Sequence, residues 1–117
     1  MSDSRRLRIE AELKRALAEL ATRGVKDPRV GNVTITGVSL TADMRTARVY
    51  FVPFGATRDT AEVEQGLARA AGFLRGEAGR RLGLRYAPRL VFVVDESFDR
   101  AERLTSLLHE AARGREP

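Results

Sequence analysis

Hydrophobic residues recur along the chain with two different periods, and these periods predict its secondary structure. Between residues 4 and 22 the apolar positions follow helical spacing, because Ile9, Leu13, Ala16, Leu17 and Leu20 fall on one stripe. Gly24 is a natural stop signal just beyond this stripe. The pattern therefore predicts an amphipathic first helix, which is followed by a loop over residues 24 to 32.

Two strands are predicted next. From Val33 to Leu40 apolar and polar residues alternate, and the alternation slips by one residue at Gly37, as a β-bulge would make it do. Residues 41 to 45 form the hairpin connection. A second strand follows from Thr46 to Phe54. Its alternation places Ala47, Val49 and Phe51 together on one face.

The longest helical pattern runs from residue 59 to residue 82, and glycines interrupt it. Its apolar stripe consists of Val63, Leu67, Ala70, Ala71, Leu74, Ala78 and Leu82. Each glycine in a helix interior costs about 1 kcal/mol relative to alanine. Four of them, Gly66, Gly72, Gly76 and Gly79, predict a kink or break within the stripe.

The remaining pattern predicts a strand and a last helix. Residues from Leu90 to Val94 are apolar on both faces, which predicts a buried, central strand. Ser97 can cap the last helix, whose inner stripe is Ala101, Leu104, Leu108 and Ala111. The order α-β-β-α(kink)α-β-α predicts an α+β fold with helices packed on one face of a three-stranded sheet.

Positive charge is concentrated in one part of the sequence. Residues 66 to 90 contain six arginines and a single acid, Glu77, and so hold the whole net charge of +5. The rest of the chain has 15 basic and 15 acidic residues. A GC-rich genome can explain why only two of the basic residues are lysines, but not this clustering. The clustering favours an acidic partner, although these arginines could also simply keep a glycine-weakened helix soluble.

Chemistry for catalysis or metal binding is missing from the sequence. The chain has no cysteine, and its one histidine, His109, cannot form a typical zinc site alone. Asp95 and Glu96 are adjacent, but helix capping and solvation explain them better than a catalytic pair does. We therefore expect no catalytic residue, metal or cofactor. The polar N-terminus and the lack of any long apolar run predict a cytoplasmic protein without membrane contact.

A helix pair, a glycine break and a following strand are typical of the KH module, whose GxxG loop clamps a nucleic-acid backbone. Gly76 to Gly79 matches GxxG literally, but it falls inside the helical stripe and contains Glu77, which would repel phosphate. The break at Ala70, Ala71 and Gly72 is the better candidate. Tyr50 and Tyr86 could stack on bases, yet packing roles are expected for both.

Several short motifs, taken in order, resemble the ribosome-binding factor A family. They span about residues 5 to 110, and each is weak alone. The motifs are Asp27-Pro28-Arg29, Val33-Thr34-Ile35-Thr36-Gly37-Val38, Asp43 with Ala47-Arg48-Val49-Tyr50, Ala70-x-Gly72-Phe73-Leu74-Arg75, Leu84-Arg85-Tyr86-Ala87-Pro88-Arg89-Leu90 and Phe92-Val93-Val94-Asp95-Glu96-Ser97.

The resemblance implies a type II KH-like domain in which an Ala-x-Gly kink, here Ala70, Ala71 and Gly72, replaces the GxxG loop. It also implies binding to the small (30S) ribosomal subunit and its 16S rRNA during late maturation and rRNA processing, with a link to cold adaptation. We expect one domain over residues 1–117, with a core of about 5–112 and a short tail at 113–117. Many family members have a longer charged C-terminal tail, so the role of that tail is not carried over.

We expect a monomer whose arginines contact RNA phosphates. The expected principal contacts are Arg75, Arg80, Arg81 and Arg85, extended by Arg69 and Arg89, with Arg5, Arg6 and Arg8 secondary. These last three could equally lie on a solvated, frayed terminus. The alternative function is a protein-interaction module that binds a ribosomal protein or another assembly factor.

Overall fold

A computed structural model describes residues 2–23, 33–53 and 60–97 of the chain. Its elements are α1 (Ser2–Arg23), β1 (Val33–Leu40), β2 (Thr46–Pro53), α2 (Thr60–Leu82) and β3 (Arg89–Val94). The helices and strands predicted for these parts of the sequence are confirmed to within two residues at each end. The predicted loop over residues 24 to 32 and the stripe of the last helix lie outside the described residues.

The sheet has the order β1-β2-β3, in which β1 and β2 are antiparallel and β2 and β3 are parallel. The register of β1 against β2 shifts between Ile35 and Gly37, which confirms the predicted bulge. The prediction that β3 is the central strand was wrong, because β2 occupies the centre of this sheet. Leu90 and Phe92 are buried, and apolar residues on the opposite side of β3 did not require a second neighbouring strand.

Both helices contribute their apolar stripes to the core that covers one side of the sheet. Leu13 and Leu17 of α1 and Leu67 and Leu74 of α2 are almost completely buried. They pack in one cluster with the inward residues of β2, of which Phe51 is fully buried. This arrangement confirms an α+β fold in which the described helices pack on one face of a three-stranded sheet.

Helix α2 is assigned as one helix from Thr60 to Leu82, without a break at the predicted kink. A bend within this helix at Ala70, Ala71 and Gly72 stays a prediction. The helix ends in a Schellman motif, in which the N–H of Leu84 donates to the carbonyl of Gly79 and that of Gly83 donates to Arg80. Gly83 has φ of +65°, which a residue with a side chain rarely adopts.

Polar contacts fix the two ends of the sheet. At one end a carboxylate oxygen of Glu10 accepts a hydrogen bond from the N–H of Leu40, at 2.7 Å. At the other end the Thr36 hydroxyl donates to Asp95 at 2.6 Å, and the N–H of Asp95 donates to the carbonyl of Phe51 at 2.8 Å. Ser97 is already helical and follows a helical Glu96, so the prediction that Ser97 caps the last helix was wrong.

Candidate nucleic-acid interface

All six arginines of the positively charged window are exposed. The window covers the second half of α2, the loop at residues 83 to 88 and the start of β3. The helix carries Arg69, Arg75, Arg80 and Arg81, the loop carries Arg85, and β3 begins at Arg89. The sequence alone identified this set, and the fold leaves each member accessible to a partner.

Arg75 connects α2 to the loop that follows it. Its Nε and Nη2 atoms donate hydrogen bonds to the carbonyl oxygen of Ala87, at 3.0 and 2.9 Å. Gly79 approaches the same residue, because a Cβ atom on Gly79 would lie 3.0 Å from the Cβ of Ala87. Arg75 therefore has a structural role that sequence reasoning missed, while its positive charge is retained.

Arg80 and Arg81 each pair with a carboxylate. Arg80 forms a salt bridge with Glu77, one turn earlier on the same helix, and Arg81 donates to Glu19 of α1 at 2.8 Å. The side chains of Arg81 and Glu19 are 44% and 59% exposed. Ion pairs this exposed contribute between about 0 and 1 kcal/mol, so a phosphate group can replace the carboxylate at little cost.

The arginines do not point in one direction. The contact with Ala87 directs Arg75 towards β3, whereas the contact with Glu19 directs Arg81 towards α1. Between α2 and β3 lies a groove of about 420 Å³ with Arg75 and Arg89 in its walls. We call this the α2–β3 groove.

The predicted kink residues border the α2–β3 groove. Ala71 and Gly72 line it, and a Cβ atom on Gly72 would have no neighbour within 4 Å. The bare backbone at Gly72 is therefore accessible from outside. Gly76 and Gly79 both lie inside α2, which confirms that the literal GxxG match is not a loop between helices.

The secondary candidates lie in the first turns of α1. Arg5 and Arg8 are exposed, and Arg6 is partly buried. All three are within the helix, which begins at Ser2. Arg5 also lines a second concave surface, which contains Arg85 of the loop. The structure thus places one of these residues near the main arginine window.

Two aromatic side chains accompany the arginines at the surface. Tyr86 is 81% exposed, so the prediction that it is a packing residue was wrong. The guanidinium carbon of Arg85 lies 5.7 Å from the centre of its ring, within cation–π range. Phe73 is 50% exposed next to Gly72, and its position off the apolar stripe could have identified it. Tyr50 is partly buried in β2.

Two other kinds of functional feature are absent from the described parts of the chain. In residues 2–23, 33–53 and 60–97 no group of three or more histidine, cysteine or acidic side chains is placed to hold a metal ion. Within those same ranges, no helix combines the length and apolar character needed to cross a membrane.

The fold and its surface together define a class of protein, a small KH-like α+β domain with an arginine-rich face. A sequence profile of Ribosome-binding factor A matches residues 5–108. Ribosome-binding factor A of Nitrosomonas eutropha is 42% identical over 108 residues, which cover 92% of each chain. The chain therefore belongs to the ribosome-binding factor A family.

Solved structures agree with this assignment. The crystal structure of ribosome-binding factor A from Thermus thermophilus aligns with a TM-score of 0.65 at 35% identity, over 76% of this chain and 94% of that one. A homology model of the T. thermophilus factor, fitted into the cryo-EM map of a 30S–RbfA complex, aligns with a TM-score of 0.63 at 35% identity, over 76% and 93%.

Proposed function

We propose that this protein binds the small ribosomal subunit through its 16S rRNA and assists late maturation and rRNA processing without catalysing a reaction. The observation that carries the proposal is the exposure of all six arginines in the segment that holds the net positive charge. Family membership and the T. thermophilus factor placed in a 30S map support the choice of ribosomal RNA.

The proposed contacts are mainly to phosphates. Guanidinium groups present a planar fork that matches phosphate oxygens, and several such contacts give strong, salt-sensitive binding. Arg75 and Arg89 in the α2–β3 groove flank the exposed backbone of Gly72, where an RNA backbone can approach α2 closely. The shape of the RNA would then determine specificity, because few side chains here can read base edges.

The finer parts of the proposal follow from the family. The protein acts as a monomer in the cytoplasm, and its function matters most in the cold, when misfolded rRNA rearranges slowly. Arg80, Arg81 and Arg85 supply contacts outside the groove. Arg69 adds to these, and Arg5, Arg6 and Arg8 contribute from α1.

Reversing the charge at Arg80 and Arg81 tests this proposal. The double variant Arg80→Glu/Arg81→Glu should lose co-sedimentation with small subunits and keep its fold by circular dichroism. Because Arg80→Glu adds a carboxylate beside Glu77, Arg80→Gln/Arg81→Gln provides a milder second variant. Lys14→Glu/Arg48→Glu changes the net charge equally at exposed residues outside the proposed interface. Equal binding by the Arg80/Arg81 variants and this control would reject the assignment.

A second candidate is binding to a protein partner, and exposed apolar side chains favour it. Leu7 is 61% exposed and Phe73 is 50% exposed. Apolar groups at a surface are typical of contacts with proteins rather than with phosphates. An association with subunits that survives nuclease digestion of the RNA and is lost in Phe73→Ser would support this second function.

A further inference from the structure

A concave surface separate from the α2–β3 groove lies at the end of the sheet where the β1–β2 hairpin is found. Its volume is about 600 Å³, and three parts of the chain meet there. These are the start of α1, the hairpin from Leu40 to Arg45, and the loop from Leu84 to Pro88. We call it the hairpin cleft. Its volume falls in the range of sites that hold small ligands, roughly 300–1,000 Å³.

The hairpin cleft combines an apolar floor with a cationic rim. Ile9, Leu40 and Pro88 are buried residues that line it. Arg5, Arg45 and Arg85 also line it, and all three are exposed. None of these three guanidinium groups has an ion-pair partner within the described residues. The charge of the rim is therefore available to an incoming anion.

The one acidic residue of the hairpin cleft is already engaged. A single carboxylate oxygen of Asp43 accepts hydrogen bonds from the Thr41 hydroxyl at 2.6 Å and from the backbone N–H of Arg45 at 3.0 Å. These contacts form the hairpin turn itself. With Arg75 also in the wall, the lining carries four arginines against one carboxylate, so it attracts a negatively charged ligand.

Tyr86 is positioned to complete the site. Its ring lines the hairpin cleft and is 81% exposed, which is unusual for an aromatic side chain without a partner. Arg85 lies over this ring at 5.7 Å. A flat base can stack on such a ring while its phosphate meets the neighbouring guanidinium groups.

Arg75 lines both the hairpin cleft and the α2–β3 groove. Its hydrogen bonds to Ala87 place the guanidinium group between the two surfaces. An RNA strand that follows the groove along α2 therefore reaches the hairpin cleft without leaving the positively charged surface. The two surfaces are adjacent parts of one path.

We propose that the hairpin cleft binds a single unstacked nucleotide of an RNA strand, with the base on Tyr86 and the apolar floor and the phosphates on Arg5, Arg45 and Arg85. The proposal rests on the proposed function, since it assumes an RNA partner. It adds a site for a single-stranded nucleotide to the phosphate contacts of the α2–β3 groove.

Tyrosine fluorescence provides a direct test. The chain has two tyrosines and no tryptophan, so Tyr50→Phe leaves Tyr86 as the only emitting side chain of that kind. Titration of this full-length variant with a single-stranded hexaribonucleotide should quench the emission as the base stacks. A duplex RNA of equal length should quench it much less, because its bases are already stacked. Equal quenching by the duplex would overturn the proposal.

Binding of the same hexamer, labelled with fluorescein and followed by anisotropy, measures the contributions of individual groups. Tyr86→Ala should weaken binding about 10-fold, in line with the loss of one base–aromatic stack, and Tyr86→Phe should restore it. Arg45→Gln/Arg85→Gln should reduce the salt dependence by about 0.7 per lost phosphate contact. Lys14→Gln/Arg48→Gln, which removes equal charge elsewhere, should change the affinity much less.

The outcomes separate this proposal from the general one. If the hexamer binds but the Tyr86 emission does not change, RNA binds elsewhere on the protein and the hairpin cleft proposal is wrong, while the proposed function stands. If an oligoglutamate peptide quenches Tyr86 as strongly and displaces the hexamer, the cleft is a site for acidic protein segments. If the unaltered protein fails to co-sediment with small subunits, the proposed function itself is wrong.

Discussion

The guanidinium group of Arg75 donates two hydrogen bonds to the carbonyl oxygen of Ala87, at 3.0 and 2.9 Å. Gly79, one turn further along α2, meets the same residue from the helix backbone. Together these contacts hold the loop between α2 and β3 against the helix. The loop carries Arg85 and the exposed Tyr86, so Arg75 positions two other candidate RNA contacts besides offering its own charge.

Substitution of Arg75 should separate these two roles. Arg75→Gln loses both the charge and the paired donors, and Arg75→Lys keeps the charge but cannot match the fork. We expect each to lower the free energy of unfolding in urea by about 0.5–1 kcal/mol, since water can partly replace the donors at this exposed site. Only Arg75→Gln should reduce the salt dependence of subunit binding.

Arg69→Gln is the matched control for Arg75. Arg69 is exposed on the same helix and makes no hydrogen bond or ion pair within the described residues. Its substitution should leave the urea midpoint unchanged while removing the same charge. If Arg69→Gln and Arg75→Gln destabilise the protein equally, the contact with Ala87 contributes nothing measurable to stability.

Gly76 and Gly79 should respond in opposite ways to substitution by alanine. Both lie inside α2, where alanine is favoured over glycine by about 1 kcal/mol. A Cβ on Gly76 meets open space, so Gly76→Ala should raise the melting temperature. A Cβ on Gly79 would lie 3.0 Å from Ala87, so the loop must move and the helix gain should be offset or reversed. Calorimetry of both variants compares them directly, and an equal gain would contradict the close approach.

Asp43 should titrate at a lower pH than an ordinary aspartate. The hydrogen bond from the Thr41 hydroxyl is the largest cause of its lowered pKa, and the backbone N–H of Arg45 is the next. A lowered folded-state pKa means that the stabilisation is fully present above the unfolded pKa of about 3.9 and is lost as the pH falls through the folded pKa. Carbon-13 NMR of the Asp43 carboxyl group measures this value.

Threonine variants check the cause of that shift. Thr41→Val removes the hydroxyl and should raise the pKa of Asp43 towards its ordinary value, and Thr41→Ser should preserve the lowered value. Thr34→Val changes an exposed threonine on β1 without touching the hairpin and should have no effect. An unchanged pKa in Thr41→Val would assign the shift to the backbone of the turn instead.

The sequence predicted those features that depend on local periodicity. The slip in alternation at Gly37 located the bulge, and the stripes of α1 and α2 identified the core, because side-chain direction follows the backbone period. The position of β3 at an edge could not be predicted in this way, since an apolar strand does not encode which strands lie beside it. Periodicity likewise gave no information on the path of the loop after Gly83.

The candidate site shows the same division. The arginine window follows from counting charges, and its exposure follows from the polar side of α2. The contact of Arg75 with Ala87 depends on the turn at Gly83, which brings the loop back along the helix. The exposure of Tyr86 has the same origin, because this loop path leaves its ring outside the core.

The predicted kink can be tested with two glycines that differ mainly in position. Gly72 and Gly76 are both exposed in α2, and a methyl group added at either would meet open space, so alanine at either should stabilise the helix by a similar amount, about 1 kcal/mol. Only Gly72 borders the α2–β3 groove. If the RNA backbone approaches α2 there, Gly72→Ala should weaken co-sedimentation with small subunits several-fold, while Gly76→Ala should not. Unimpaired binding by Gly72→Ala would show that neither a bend nor a bare backbone at this position is needed.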